Sequence, residues 1–156
     1  MGYIYGVLPP IPPPPARQEG VKPVKPHITI VKLGRPVKVE VRYRPFVAVL
    51  GQVDLLPSHA RPRYVALRVE PYGEFAALRR LLVSSLGDAV EERHEEFRPH
   101  LTLFAVRIKR PTEEELRDAV EYARQYVGTA FEVRSIHLID TTEGLYMPIY
   151  TVNLHA

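Results

Sequence analysis

Lys25-Pro26-His27-Ile28-Thr29-Ile30 and Arg98-Pro99-His100-Leu101-Thr102-Leu103 decide how this chain is read. Each is a basic residue and a proline, followed by His and Thr alternating with aliphatic residues. On a strand, successive side chains point to opposite faces, so His and Thr share one face and the aliphatics the other. The aliphatic face belongs in a core, and the polar face is presented. The two copies lie about half a chain apart, so one half repeats the plan of the other. A single His beside apolar residues is commonly a packed or merely exposed side chain. Two copies of one six-residue pattern are hard to produce by chance, and they predict a cleft lined by two imidazoles and two hydroxyls.

The chain has 156 residues, 46% hydrophobic and 25% charged, which suits one ordinary globular domain. No apolar run approaches the roughly 18 residues of a membrane span. The opening Met1-Gly2-Tyr3-Ile4-Tyr5 lacks a signal peptide's basic segment and apolar core, so a cytoplasmic protein without membrane contact is expected. The chain has no Cys, which excludes disulfides, thiolate nucleophiles and Cys-bound metals. A net charge of +3 and a pI near 9.2 permit a polyanionic partner without requiring one. One Asn and three Gln among many Arg and Glu resemble the amide-poor composition of heat-adapted proteins.

Outward from the motifs, Tyr3 to Leu8 reads as an opening strand. Residues 9–26 read as a Pro-rich loop, with Pro9 to Pro15 as a polyproline II arm, since each Pro lacks an N–H and holds its predecessor extended. The motif strands fall near 27–33 and 99–106. Val37 to Tyr43 alternates apolar with charged residues, as a half-exposed strand does, and Phe46 to Leu55 and Tyr64 to Val69 are further strands. Phe75, Leu78, Leu81 and Leu82 recur at helical spacing, with Gly87 past the helix end. Pro111-Thr112-Glu113-Glu114-Glu115 opens a second helix, with Thr112 as N-cap and Glu115 completing a capping box. Leu116, Val120 and Ala123 form its buried face, and Gly128 ends it. Phe131 to Ile139 and Leu145 to Leu154 read as closing strands. The fold expected is α+β: a single bilobal domain over 1–156, with two pseudo-symmetric lobes whose sheets face a central cleft.

At the two His motifs the chain resembles the 2H phosphoesterase superfamily, and most closely its RNA 2′,3′-cyclic phosphodiesterase branch, historically called 2′-5′ RNA ligase. Tyr3 to Pro9, Lys25 to Gly34, Pro45 to Leu50, Arg63 to Leu67 and Phe97 to Leu103 carry the resemblance. It implies that the N-terminal lobe lacks its usual helices, replaced here by the Pro arm and Val37 to Tyr43. A Lys common four residues after the first His is Val31 here, with Lys32 next. An Arg common five residues after the second His is Ala105, with Arg107 two further on. A one-residue step on a regular strand turns a side chain to the opposite face. The apolar surface of the stripped lobe must be covered by the Pro arm, by Val37 to Tyr43 or by a second subunit; monomer and homodimer both remain open.

Hydrolysis of a cyclic phosphodiester needs one group to take a proton from water and another to give one to the departing ribose oxygen. Two imidazoles can fill both parts near neutrality. Thr29 and Thr102, each beside its His, suit donation to the nonbridging oxygens. The resemblance gives His27 the part of proton donor and His100 that of acceptor, with a 2′-phosphate as product and 2′-5′ RNA ligation as a possible second activity. It also implies a partner: RNA with a cyclic phosphate end, or a small cyclic nucleotide. Lys32, Arg98 and Arg107 are candidates for phosphate contacts, and Phe104, Tyr5 and Tyr43 for stacking a base. The chain shows no carboxylate cluster, Gly-rich phosphate loop or metal-ligand pattern, so neither metal nor other cofactor is expected. His59, His94 and His155 lie where exposed histidines are ordinary; His137 alternates within a strand. The rival from another class is a noncatalytic RNA- or nucleotide-binding protein of the same fold.

Overall fold

The computed structural model describes residues 2–16, 19–91 and 96–156; His94 lies outside them. Eight strands and two helices follow the order β1 (Tyr3–Val7), β2 (Val21–Leu33), β3 (Phe46–Leu56), β4 (Tyr64–Glu70), α1 (Tyr72–Leu86), β5 (His100–Val106), α2 (Glu113–Arg124), β6 (Ala130–Val133), β7 (Ser135–Asp140) and β8 (Met147–Asn153). The strands form a single sheet, β6-β3-β4-β5-β2-β1-β7-β8, antiparallel at every pairing. It divides into two halves of four, each ending at the centre with a motif strand. The α+β class and the two related halves match the sequence reading, and the two halves are continuous in one sheet. They are joined along β2 and β5, with His27 directly across from Thr102.

Phe131 to Ile139, expected as one strand, is two strands at far-apart places in the sheet. β6 is an outer edge and β7 is seventh in order, yet Arg134 alone lies between them. In a flat sheet they would stand about 29 Å apart at about 4.8 Å per strand, and the two peptide links from Val133 to Ser135 reach only about 7 Å. The sheet therefore curls until its ends nearly meet, and the Leu154 N–H donates to the Arg134 carbonyl at the junction.

One face of the sheet is the core. α1 packs across β2 and β4 through Phe75, Leu78, Leu82 and Leu86, while Leu81, expected on that face, is 40% exposed. α2 packs across β3 and β4 through Leu116, Ala119 and Ala123, with the Thr112–Glu115 capping box at its start. Among the described residues, neither helix packs extensively on β1, β7 or β8. Pro9, Ile11 and Pro14 of the Pro-rich stretch are buried, and so is Val41, with Ile11 and Val41 belonging to the main apolar cluster. The Tyr5 hydroxyl, at the centre of that cluster, donates to the Val37 carbonyl and accepts from the Val39 N–H. The stripped half is thus covered by its own Pro arm and the 36–45 segment.

Two boundaries differ from the expectation. The Pro-rich loop ends at Gly20, because Val21 to Pro26 already belongs to β2, where Pro23 faces Phe104. Val37 to Tyr43 alternates in burial as expected but makes no ladder, having a single bridge from Tyr43 to His155. Among the described residues, no helix is long and apolar enough to cross a membrane.

Candidate active site

Pro26 and Pro99 hold the residues before them, Lys25 and Arg98, in extended backbone. Each of those residues aims its carbonyl at the ring two places on: His27 Nδ1 is 2.8 Å from the Lys25 oxygen, and His100 Nδ1 is 2.9 Å from the Arg98 oxygen. A carbonyl only accepts, so in both rings Nδ1 carries hydrogen and Nε2 is left for chemistry. His27, Thr29, His100 and Thr102 line one cleft of about 770 Å³. On the strands flanking the motif pair, the residues across from the two threonines are small, Gly6 on β1 and Ala66 on β4, so neither crowds a hydroxyl.

Three β-bulges decide what else reaches this face, because each extra residue reverses the alternation beyond it. On β2, Thr29 faces Gly6 and Val31 faces Tyr5, leaving Ile30 extra. Ile30 and Val31 both go to the core, and Lys32 emerges on the cleft side. The Ile30 carbonyl accepts from Arg79 Nη1 of α1 at 2.7 Å, and that guanidinium sits over Phe97. On β5 the extra residue is Leu103; it and Phe104 are both fully buried, which puts Ala105 in the place corresponding to Lys32. On β3 a shift between Leu50 and Val53 moves Asp54 out of the core series Phe46, Ala48, Leu50 and onto the cleft side.

The two rings have unlike surroundings. His27 is 5% exposed and stacks on Tyr146, with centroids 4.1 Å apart and planes 25° from parallel. Burial pushes its imidazole below the ordinary value, against the pull of the Lys25 carbonyl, and the Lys25 ammonium adds to the depression. Tyr146 is held with φ of 50°, its carbonyl accepting from Lys25 Nζ at 3.1 Å. Burial raises the Tyr146 hydroxyl, so it stays protonated. His100 Nε2 lies 2.9 Å from Asp54 Oδ2, in a pair whose side chains are 8% and 13% exposed. Burial pushes Asp54 up, but the hydrogen bonds from His100 and Gln52 and the Arg68 guanidinium at 3.2 Å outweigh it and hold the carboxyl below the usual range. The ring expected to donate a proton is the one whose surroundings disfavour it, and the ring expected to accept one faces a carboxylate.

Of the other expected contacts, Lys32 and Arg98 line the cleft. Arg98 pairs with Glu96 at 3.0 Å. Four candidates do not lie there. Phe104 is a core residue, edge-on to Tyr122, because the β5 bulge turns it inward. Tyr5 is fully buried, tying β1 to the 37–39 backbone. Tyr43 packs edge-on to Phe46 and bonds to Glu74 of α1. Arg107 lies beyond the end of β5, its N–H donating to the Gly20 carbonyl. The sequence reading missed Asp54, Tyr146, Arg63 and Tyr64, all at or beside the cleft. Arg63 and Tyr64 sit at the start of β4 with Tyr64 across from Ala105, so a cation stands near the place where Ala105 offers none. His137 lies on the same sheet face, across from Gly6 and bonded to Thr151, lowered by burial and by Lys25. Among the described residues, no group of three or more His, Asp or Glu could hold a metal ion.

A model of the 2′-5′ RNA ligase superfamily matches residues 18–145. An RNA 2′,3′-cyclic phosphodiesterase of Archaeoglobus fulgidus is 31% identical, over 84% of this chain and 80% of its own. Among solved structures, the protein TT0787 of Thermus thermophilus superimposes with a TM-score of 0.72 at 20% identity, covering 100% of this chain and 99% of that one. Escherichia coli LigT complexed with 3′-AMP gives a TM-score of 0.65 at 20% identity, covering 99% and 98%.

Proposed function

Because the chain belongs to the 2′-5′ RNA ligase superfamily, we propose that it is a phosphodiesterase that opens the 2′,3′-cyclic phosphate ends of RNA or related nucleotides to 2′-phosphates. The observation that carries this reading is the pair of imidazoles on adjacent strands, each fixed through Nδ1 by the carbonyl two residues earlier, sharing one cleft with two threonines. The name of the Archaeoglobus relative supports RNA as the substrate class.

In the reaction, a water oxygen bonds to phosphorus as one P–O bond to ribose breaks. One Nε2 takes the proton that water loses, and the other supplies the proton that the ribose oxygen gains. Each transfer contributes on the order of 10² to 10⁴ in rate. The Thr29 and Thr102 hydroxyls donate to the nonbridging oxygens, where negative charge builds up. Lys32 from the β2 bulge, with Arg63 and Arg98, offsets the charge of the phosphate and of the chain leading to it. With a ribose 5′-hydroxyl in place of water, the same geometry joins a cyclic end to that hydroxyl, the ribose oxygen again leaving as its bond to phosphorus breaks, which is the ligation reaction.

The test is turnover of 2′,3′-cyclic nucleotides and cyclic-ended RNA by the purified protein, with product identification. His27→Ala and His100→Ala should each lower the rate by about 10² or more while melting like the parent. Full activity in either variant overturns the paired mechanism. Salt-sensitive RNA binding without turnover in the parent replaces it with the binding-protein reading.

A further inference from the structure

Asp54 is the one carboxylate among the described residues whose oxygen lies within hydrogen-bond distance of a motif imidazole. It is there because of the β3 shift: regular alternation from Phe46, Ala48 and Leu50 would have turned it into the core. Its row runs Asp54, Ala66, Thr102, His27 across four strands, and small Ala66 leaves room for the carboxylate to reach diagonally to His100. Both nitrogens of the His100 ring therefore face acceptors, a carbonyl at 2.9 Å and a carboxylate oxygen at 2.9 Å. Both contacts are satisfied at once only when both nitrogens carry hydrogen.

We propose that Asp54 is a positioning residue that keeps a transferable proton on His100 Nε2 in the free protein, making His100 the donor to the leaving oxygen and His27 the acceptor of water's proton. This rests on the cyclic phosphodiesterase reading, and it reverses the division of roles that the family resemblance implies. On substrate binding, the Nε2–H leaves the carboxylate for the departing ribose oxygen, and that oxygen takes the proton as its bond to phosphorus breaks. Water's proton goes to His27 Nε2. His100 ends neutral and His27 charged, and exchange with solvent restores both.

The remaining charged groups around His100 do not duplicate this role. Arg68 of β4, directly across from it, shares Asp54 Oδ2 and so weakens the hold of the carboxylate. Glu96 is engaged by Arg98 on the segment before β5, and Glu70 and His59 line the adjoining groove. Arg63, just before β4, Arg79 of α1 and His27 of β2 reach the cleft. His27 has the complementary setting, buried and stacked on Tyr146, where a bare Nε2 is favoured.

Two variants test the proposal. Asp54→Asn keeps the shape and removes the charge, whereas Arg68→Gln frees the carboxylate from its competing cation. With histidine ring nitrogens labelled with ¹⁵N and no substrate present, the parent at neutral pH should show both His100 nitrogens protonated and His27 Nε2 bare. Asp54→Asn should convert His100 Nε2 to the bare form. Its kcat/KM for a cyclic nucleotide at mildly alkaline pH should fall by about tenfold or more, with the alkaline limb displaced to lower pH, because a neighbouring charge shifts such equilibria by about a pH unit or more. Arg68→Gln should displace the same limb the other way, a pair of opposite effects that misfolding does not produce. A bare His100 Nε2 in the parent, or a His100 spectrum unmoved in folded Asp54→Asn, overturns the proposal. The spectra need no turnover, so this outcome is separate from whether the chain is a cyclic phosphodiesterase at all.

Discussion

Lys32 and Arg107 are equal candidates in the sequence, each an exposed base a few residues beyond a motif His, and the fold separates them. Lys32 is carried into the cleft by one extra residue in β2, while Arg107 lies past the end of β5 with its backbone tied to Gly20. Lys32→Ala should raise KM for a cyclic-phosphate substrate several-fold, since a phosphate contact in a partly solvated cleft contributes on the order of 1 kcal/mol. Arg107→Ala should leave both kcat and KM within error. Steady-state kinetics on one substrate checks both, and equal effects from the two would remove Lys32 from the site. The four motif residues are legible in the sequence because each copy vouches for the other. Asp54 and Tyr146 have no such repeat. Asp54 sits in an apolar run, and Tyr146 follows a turn glycine by two places; nothing local marks either one.

At the level of elements, the legible and the hidden parts divide at the bulges. Alternation within β1, β2, β4 and β5 and the Thr112 capping box can be read directly, because strand period and helix capping are local properties. A bulge is set by the partner strand, so Lys32, Phe104 and Asp54 cannot be placed from their own segments. The break at Arg134 leaves only a change of phase, with apolar residues at Phe131 and Val133 before it and at Ile136 and Leu138 after it; which strands β6 and β7 join is set by their partners. Gly6 is the hinge point of the β2 bulge: a Cβ there would stand 2.6 Å from the Ile28 carbonyl oxygen, a backbone atom that cannot step aside. Gly6→Ala should therefore force β1 from the motif strand, costing about 1–3 kcal/mol, typical of overpacking, and disturbing Thr29 opposite it. Denaturant unfolding alongside an activity assay checks this, and a variant as stable and active as the parent would contradict the close approach.

Across the whole molecule, the sheet keeps two histidines neutral. His27 and His137 are both depressed by burial, with Lys25 adding to each, so the folded protein takes up protons at a lower pH than the unfolded chain. Stability is then fully present above the ordinary histidine value of about 6.5 and declines as pH falls through it toward the folded values. Asp54 and Asp140, both lowered, lose their contributions only below the ordinary carboxylate range. From these two residues the melting temperature should fall as pH drops from about 6.5 to 5, with a gentler fall in His137→Gln; a level profile over that range would contradict both assignments. The same sheet holds β2 and β5 in one ladder, while the single-residue link at Arg134 ties its far ends together. The two imidazoles consequently ride on one hydrogen-bonded ladder and not on separate lobes. The pair works like a die rather than a clamp: the ladder sets the spacing of the two motifs before anything arrives, so the adjustment between them falls on the nucleic acid. Frayed, unpaired ends that can bend a terminal ribose into the groove meet that demand most cheaply, and an end stacked within a duplex meets it least.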